Sequence, residues 1–403
     1  MTKQTNTPEL RFPEFENDWK IVKLQELLSF NNGINASKNQ YGVGRKFINV
    51  LDILNNNFIT YNNIIGKVDV SEKVELNNKV EHGDMLFLRS SETREEVGLA
   101  NTYLDNKYAL FGGFVIRGKR IKEYSPLFLK ETLNKPRTRY EIGVAAGGST
   151  RFNVSQNILK NVTLYLPELE EQRKISNFFS KLDRQIELEE EKLELLEQQK
   201  KGYMQKIFSQ ELRFKDENNN NYPEWKIKKL EEISEFQNGK AHENFVSDTG
   251  KFILVNSKFI STESKVKKYV DKQLTPLRIN DIAIVMSDVP NGKALAKCYL
   301  IENDNTFTLN QRIGRIFNIE GNSRFLFTQI NRNKQLLKYD SGVGQTNLKK
   351  SEIIGIKIYW PNKREQDKIG DFFINLDSII EKQSTKVELL KQRKKGLLQK
   401  MFI

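Results

Sequence analysis

Residues 166–208 read LPELEEQRKISNFFSKLDRQIELEEEKLELLEQQKKGYMQKIF, and residues 360–402 read WPNKREQDKIGDFFINLDSIIEKQSTKVELLKQRKKGLLQKMF. Laid over each other without a gap, P, EQ, KI, FF, LD, LL, KKG, QK and the final F fall in step. Within the first stretch, Ile175, Phe179, Leu182, Ile186, Glu189, Leu193, Leu196, Lys200, Tyr203 and Ile207 advance by alternating steps of four and three. The second gives Ile369, Phe373, Leu376, Ile380, Gln383, Val387, Leu390, Lys394, Leu397 and Met401 at the same spacing. A 3.5-residue apolar repeat is the seam of a left-handed coiled coil. Pro167 and Pro361 stand where a proline can open a helix, because its missing N–H has no intrahelical partner there. At ~1.5 Å per residue each helix is roughly 60 Å long and too polar to be buried alone. Antiparallel pairing of the two copies is expected, with Lys394 or Lys400 answering Glu189. A parallel dimer between chains, or each helix packed only on its own globular unit, are the alternatives.

The repetition extends upstream. Trp19-Lys20-Ile21 returns as Trp225-Lys226-Ile227, and Asn32-Gly33 as Asn238-Gly239. Lys46-Phe47-Ile48 is matched by Lys251-Phe252-Ile253, Gly83-Asp84-Met85 by Asn280-Asp281-Ile282, and residues 148–155 by residues 344–351. The order is therefore unit, long helix, unit, long helix, with the divergent residues lying between shared framework pieces. Divided readers on a common scaffold produce that pattern, and so does drift of surface loops. Expected strands include 47–52, Met85–Leu88, 252–256 and Ile282–Val285, which makes each unit a mixed α+β domain with small sheets. The boundaries read as 1–165 for the first domain, 166–208 for the first helix, 209–359 for the second domain and 360–403 for the second helix. The first helix runs into Glu211-Leu212-Arg213-Phe214, while the N-terminus carries Glu9-Leu10-Arg11-Phe12 and the C-terminus stops at QKMFI. The C-terminus placed before the N-terminus would recreate the internal junction, so the two ends are expected to lie together.

Composition sets the remaining bounds. Of 403 residues, 65 are Lys or Arg and 52 Asp or Glu, a formal charge of +13 that favours a polyanionic partner. Hydrophobic residues reach 38%, with 25 Phe and 13 Tyr, too apolar and aromatic for a disordered chain. Cys298 is the single cysteine, and His82 and His242 the only histidines, which excludes a disulfide framework and a Cys-cluster zinc site. No apolar run is long enough to span a bilayer, and the first residues carry no signal pattern, so a cytoplasmic location is expected. There is no G-x-x-x-x-G-K-[ST] loop for a nucleotide. Gly42/Gly44 and Gly147/Gly148 lack the strand–G-x-G-x-x-G–helix setting of a dinucleotide site and read as turns. His82 has no nearby Ser or Cys nucleophile and reads as a solvated turn residue.

The two copies of P-x-x-x-E-Q-x-K-I-x-x-F-F-x-x-L-D (Pro167 to Asp183, Pro361 to Asp377), with the K-K-G-x-x-Q-K-[IM]-F endings, resemble the DNA-specificity subunit of type I restriction-modification enzymes. The likeness covers essentially the whole chain. It implies two target-recognition domains, each reading half of a split, asymmetric DNA sequence, with the paired helices as spacer and docking surface. It implies two methyltransferase subunits and restriction/translocase subunits as partners in defence against foreign DNA. Catalysis, S-adenosylmethionine, ATP and Mg would then belong to those partners, leaving no catalytic residue or cofactor in this chain. An Asn/Asp-Pro-Pro-aromatic motif, expected of an adenine methyltransferase, is absent.

Base edges are read by side chains with paired donors and acceptors, mainly Arg, Lys, Asn and Gln. In the first unit the candidates are Arg89, Ser90, Arg94, Arg151 and Asn153. In the second they are Lys293, Gln311, Arg312, Gln345, Asn347 and Lys349, around the loop 287–293. Each is equally a residue type that caps turns or faces water. The acidic run from Glu187 to Glu197 is unsuited to touching a duplex; it faces solvent or a partner protein. Two other classes fit the same organisation: a stand-alone DNA-binding regulator, and a coiled-coil adaptor without a DNA role.

Overall fold

The computed structural model describes residues 6–289, 292–340 and 342–403. The chain forms two compact units, Met1–Glu189 together with Val387–Ile403, and Glu190–Lys386. Each holds one globular body, the start of one long helix and the end of the other. The helices themselves are Leu169–Phe208 and Lys363–Met401.

The first globular body is built on a four-stranded antiparallel sheet in the order Leu28–Asn32, Val115–Arg120, Met85–Leu88, Ala100–Thr102. A three-stranded sheet sets Tyr41–Ile48 between Lys67–Val68, antiparallel, and Leu110–Phe111, parallel. Two short ribbons complete it, Lys20–Lys23 with Thr163–Leu166 and Ser90–Ser91 with Phe152–Asn153. The second body repeats the plan strand for strand. Its four-stranded sheet runs Glu235–Asn238, Ile313–Phe317, Ile282–Val285, Cys298–Leu300, and Phe252–Val255 sits between Tyr269–Val270 and Phe307–Leu309. Its ribbons are Lys226–Lys229 with Lys357–Trp360 and Ser287–Asp288 with Thr346–Asn347.

Met85–Leu88 and Ile282–Val285 are strands as expected, each apolar throughout and buried on both faces. Two expected strands run past their true ends, and the first also begins late, the strand being Tyr41–Ile48. The first ends at Ile48 because Asn49 opens a helix, Val50–Asn55, accepting from Leu51 N while Asp52 accepts from Asn49 N. The other ends at Val255, where Asn256 accepts from Phe259 N to cap Ser257–Ser261. Asn at such a position ends a strand by taking an orphan helix donor. These caps also correct two pairings drawn between the copies. Asn49 and Asn256 are equivalent, so Ile48 corresponds to Val255 and Phe47 to Leu254, not to Phe252. Likewise Asn153 faces Ser90 as Asn347 faces Ser287, so Asn153 corresponds to Asn347 rather than Lys349. Both slips are by two residues. A two-residue shift leaves every strand side chain on its own face, so hydropathy cannot detect it.

The long-helix motif is explained by packing within each unit. In the first, Glu171, 1% exposed, receives Nε and Nη2 of Arg11, both at 2.7 Å. Its neighbour Gln172 donates to Pro167 O and accepts from Ser125 N, at the start of helix Pro126–Leu133. In the second unit Glu365, fully buried, takes Arg213 Nε and Nη2 at 3.1 and 2.8 Å, and Gln366 bonds Pro361 O and Asn322 N. The phenylalanines follow the same plan. Phe402 lies 4.9 Å from Phe128 and 6.0 Å from Phe179, and Phe178 stands edge-on to Phe12. Phe208 lies 6.2 Å from Phe325 and 6.3 Å from Phe373, and Phe372 stands edge-on to Phe214. One detail differs: the Trp225 indole N–H donates to Glu365, while the buried Trp19 indole N–H has no partner among the described residues.

The helices pair antiparallel in each unit. In the first, Phe179 meets Phe402 and Asp183 meets Lys394 at 2.5 Å, so one chain direction ascends as the other descends. In the second, Phe373 meets Phe208 and Asp377 bonds Lys200. Every seam position except Tyr203 is buried or half-buried. Lys394 and Lys400 do not answer Glu189 as expected. Lys394 goes to Asp183, which lies nearly two turns closer to the helix start than Glu189, and Lys400 goes to Glu9 near the N-terminus.

The chain ends meet as the sequence predicts. Leu10 N donates to Lys400 O at 2.9 Å and Lys400 pairs with Glu9. At the internal junction Leu212 N donates to Lys206 O at 3.0 Å and Lys206 pairs with Glu211. One is the covalent version of the other. Joining the termini through a short linker and reopening the chain at exposed Ser209 should therefore give a protein that melts cooperatively near the wild-type temperature. A product that is unfolded by circular dichroism would show that the two junctions are not equivalent.

Candidate nucleic-acid interface

In each unit three loops converge on the backbone of one residue, Arg89 or Met286. Arg89 N donates to Phe114 O at 2.9 Å, and Arg89 O accepts from Val154 N at 2.9 Å. Met286 N donates to Arg312 O at 3.0 Å, and Met286 O accepts from Leu348 N at 2.7 Å. The first loop follows the buried central strand, the second is the turn entering the neighbouring strand, and the third is the segment ahead of a short helix. Strand ends thus carry the polar loops while the apolar strands anchor them.

In the first unit all five candidates gather here. Ser90 and Asn153 face each other across the ribbon. The Arg94 guanidinium lies 4.8 Å from the Phe152 ring and that of Arg151 lies 5.7 Å from the Phe114 ring. Seating on an aromatic face holds an arginine without using its N–H edge. Among the described residues no hydrogen bond occupies either guanidinium. Asn153 donates to Arg151 O, inside a hairpin that closes through paired Gly147 and Asn153 backbone bonds. Gly148 permits that hairpin: its φ is +120°, and a Cβ there would stand 2.0 Å from Arg151 O. Arg89 is half-buried and its Nη1 donates to Gly113 O at 3.1 Å, which makes it the brace of the turn. Exposed Glu92 and Glu95, with Glu96 held by Ser91 Oγ, keep this loop from being a plain basic patch. A carboxylate among arginines suits base edges, since it accepts from cytosine N4, better than phosphates.

The second unit gathers a different set. Gln345 Nε2 donates to Ser287 Oγ at 2.6 Å, and Asn347 faces Ser287 in the ribbon. Lys293 is exposed at the end of its loop, whose Pro290 and Asn291 lie outside the described residues. Asp288 folds that loop, accepting from Ala294 N and Leu295 N. Arg312 stands exposed on the converging turn, but Gln311 is already engaged by Glu243 at 2.6 Å. Lys349 directly precedes the helix Lys350–Ile354 and is exposed.

Behind each loop an arginine from the helical layer fixes the backbone. Arg139 Nη2 donates to Glu95 O and Val97 O at 2.9 and 2.6 Å, and Arg332 Nη1 donates to Lys293 O and Leu295 O at 2.8 and 3.2 Å. Burial pulls the Arg139 guanidinium down to about 10, still charged at neutral pH. Neither residue was legible as part of the site, because each acts through loop carbonyls. Phe114 was missed as well, although Gly112-Gly113 before an aromatic residue signals a tight turn with an exposed ring. His82 is exposed in a turn as expected, and burial pushes the Cys298 thiol up and keeps it inert.

The sequence profile described as the type I restriction modification DNA specificity domain matches residues 16–198 and 222–391. The chain belongs to this family. A curated relative, the type I restriction enzyme MjaVIII specificity subunit of Methanocaldococcus jannaschii, is 26% identical over 96% of this chain and 92% of its own length. The putative MjaX specificity subunit of the same organism is 23% identical over 98% of this chain and 95% of its own. The crystal structure of the type I restriction-modification system S subunit from M. genitalium superposes with a TM-score of 0.62, 17% identity and coverage of 98% and 99% of the two chains. A second solved chain, from work on complex assembly and conformational transition of a type I system, gives 0.54 with 15% identity over 95% and 97%. This specificity subunit is a DNA-binding, target-recognising and non-catalytic component. Among the described residues no helix is long and apolar enough to cross a membrane.

Of the first-unit candidates, Arg94 combines an exposed side chain with an N–H edge that no hydrogen bond occupies among the described residues. If Arg94 reads a base, Arg94→Ala should relax preference at one base position, at about 1–3 kcal/mol, measured by competition binding on single-base variants. An equal loss on all DNA would reassign Arg94 to phosphate contact.

Proposed function

We propose that this specificity subunit reads a two-part, asymmetric duplex sequence, one half through each unit. It presents that DNA to methyltransferase and restriction subunits that carry out adenine methylation or cleavage. The observation that supports this most is the repeated three-loop edge with unlike side chains. Ser90 and Ser287 match, as do Asn153 and Asn347, but Arg89 is replaced by Met286 and Phe152 by Thr346. A common backbone with different donors and apolar groups suits two different half-sites. Identical readers would suit a repeated one. The partner count follows from the same duplication: two copies of the helix clamp offer two equivalent docking places, which favours two copies of one methyltransferase subunit. S-adenosylmethionine, ATP and Mg are assigned to those partners.

Selection from random duplex DNA by the full chain, alone and with its methyltransferase partner, separates this function from its rivals. A gapped consensus with unlike halves is expected when the partner is present. An ungapped consensus bound equally well without the partner would favour a stand-alone regulator. No enrichment in either case would point to an adaptor.

A further inference from the structure

The two units place different chemistry at one equivalent position. Gly112 N donates to Ile48 O and Val115 N to Gly112 O, both at 2.9 Å. Asn310 N donates to Val255 O at 3.0 Å and Ile313 N to Asn310 O at 3.3 Å. The four bonds define the same turn in each unit, with Gly113-Phe114 at the apex of one and Gln311-Arg312 at the apex of the other. Both apex residues give their carbonyl to the hub residue, Arg89 or Met286, so both are fixed in backbone position. Neither side chain enters a core. Phe114 is 58% exposed, with the Arg151 guanidinium over its ring and the Arg89 side chain braced beneath the turn. The Arg312 guanidinium is exposed, and no hydrogen bond or ion pair holds it among the described residues. Arg312 also takes a left-handed φ of +65°, where a non-glycine residue is strained, whereas Phe114 does not.

We propose that Phe114 and Arg312 are equivalent specificity determinants with opposite preferences. Phe114 packs on the C5-methyl of a thymine in the half-site of the first unit. Arg312 donates two bonds to O6 and N7 of a guanine in the half-site of the second. The chemistry follows from the major-groove pattern. A flat apolar side chain has one apolar partner there, the thymine methyl, and a free guanidinium fork matches the guanine pair of acceptors. Arg151, held against Phe114, is placed to bond the base next to that thymine. The inference rests on the DNA-reading function proposed above and adds which base each turn selects.

The test uses the full chain with its methyltransferase partner, random-DNA selection, and then binding to base analogues. The wild type should select a thymine at one position of one half. Deoxyuridine there, which lacks only the methyl, should weaken binding about four-fold, the effect of one buried carbon. Phe114→Ala should lose that preference, stop responding to deoxyuridine and leave the other half unchanged, while Phe114→Leu should retain most of it. In the other half, 7-deazaguanine at one guanine should weaken the wild type about ten-fold and leave Arg312→Ala unaffected. A wild-type consensus with unaltered Phe114→Ala preferences would overturn the proposal, as would equal weakening on every DNA or a half-site without thymine. A wild type that selects nothing would instead remove the DNA-reading function beneath it.

Discussion

Each unit closes around a buried carboxylate. Glu171 and Glu365 sit in the first turn of a long helix, nearly or fully inaccessible, and each is neutralised by the two parallel bonds of one arginine. Removing one partner of such a pair would strand a charge at about 3–5 kcal/mol, so the arginine segment has to return to the helix in both units. Its phenylalanine, Phe12 or Phe214, lands on the helix, and the end of the opposite helix delivers Phe402 or Phe208 to the same aromatic group. The glutamate, glutamine and paired phenylalanines of the repeated motif are therefore a clamp that binds three chain segments. Their recurrence reports architecture.

The repeat, the helical seams, the antiparallel pairing and the meeting of the termini were all legible in the sequence. Each depends on local periodicity or on identity between the two copies, which single side chains carry. The strand pairings between copies were less legible. Phe47 was matched to Phe252, and Asn153 to Lys349, because a slip of two preserves the inward and outward alternation. Only the caps at Asn49 and Asn256 and the ribbon pairs fix the true correspondence. The partners of Lys394 and Lys400 depend on the height at which the helices meet, which no periodicity supplies.

The candidate site was legible in outline and not in detail. Polar residues following buried strands fall on the same loop edge in both units. Composition could not separate the braces, Arg89 and Arg139, from the free groups, Arg94 and Arg151, since all four are arginines in or behind polar segments. What separates them is whether the guanidinium is engaged by carbonyl oxygens or merely seated on a ring. The same distinction sets Gln311, already bonded to Glu243, apart from exposed Phe114, which a search for hydrogen-bonding residues passes over. A scaffold braced from behind by carbonyl-bound arginines can change its exposed side chains without disturbing its clamp, and the two units differ in that way.

If unlike readers on a common clamp set the asymmetry of the target, making the readers alike should abolish it. The decisive measurement is the sequence selected by a chain in which residues 9–210 are followed by a second copy of themselves, assembled with the methyltransferase partner. Antiparallel helices and identical loops predict a gapped site with one half-sequence repeated in inverted orientation. A folded chain that still selects two unlike halves would contradict the claim that these loops, and not another part of the molecule, choose the sequence.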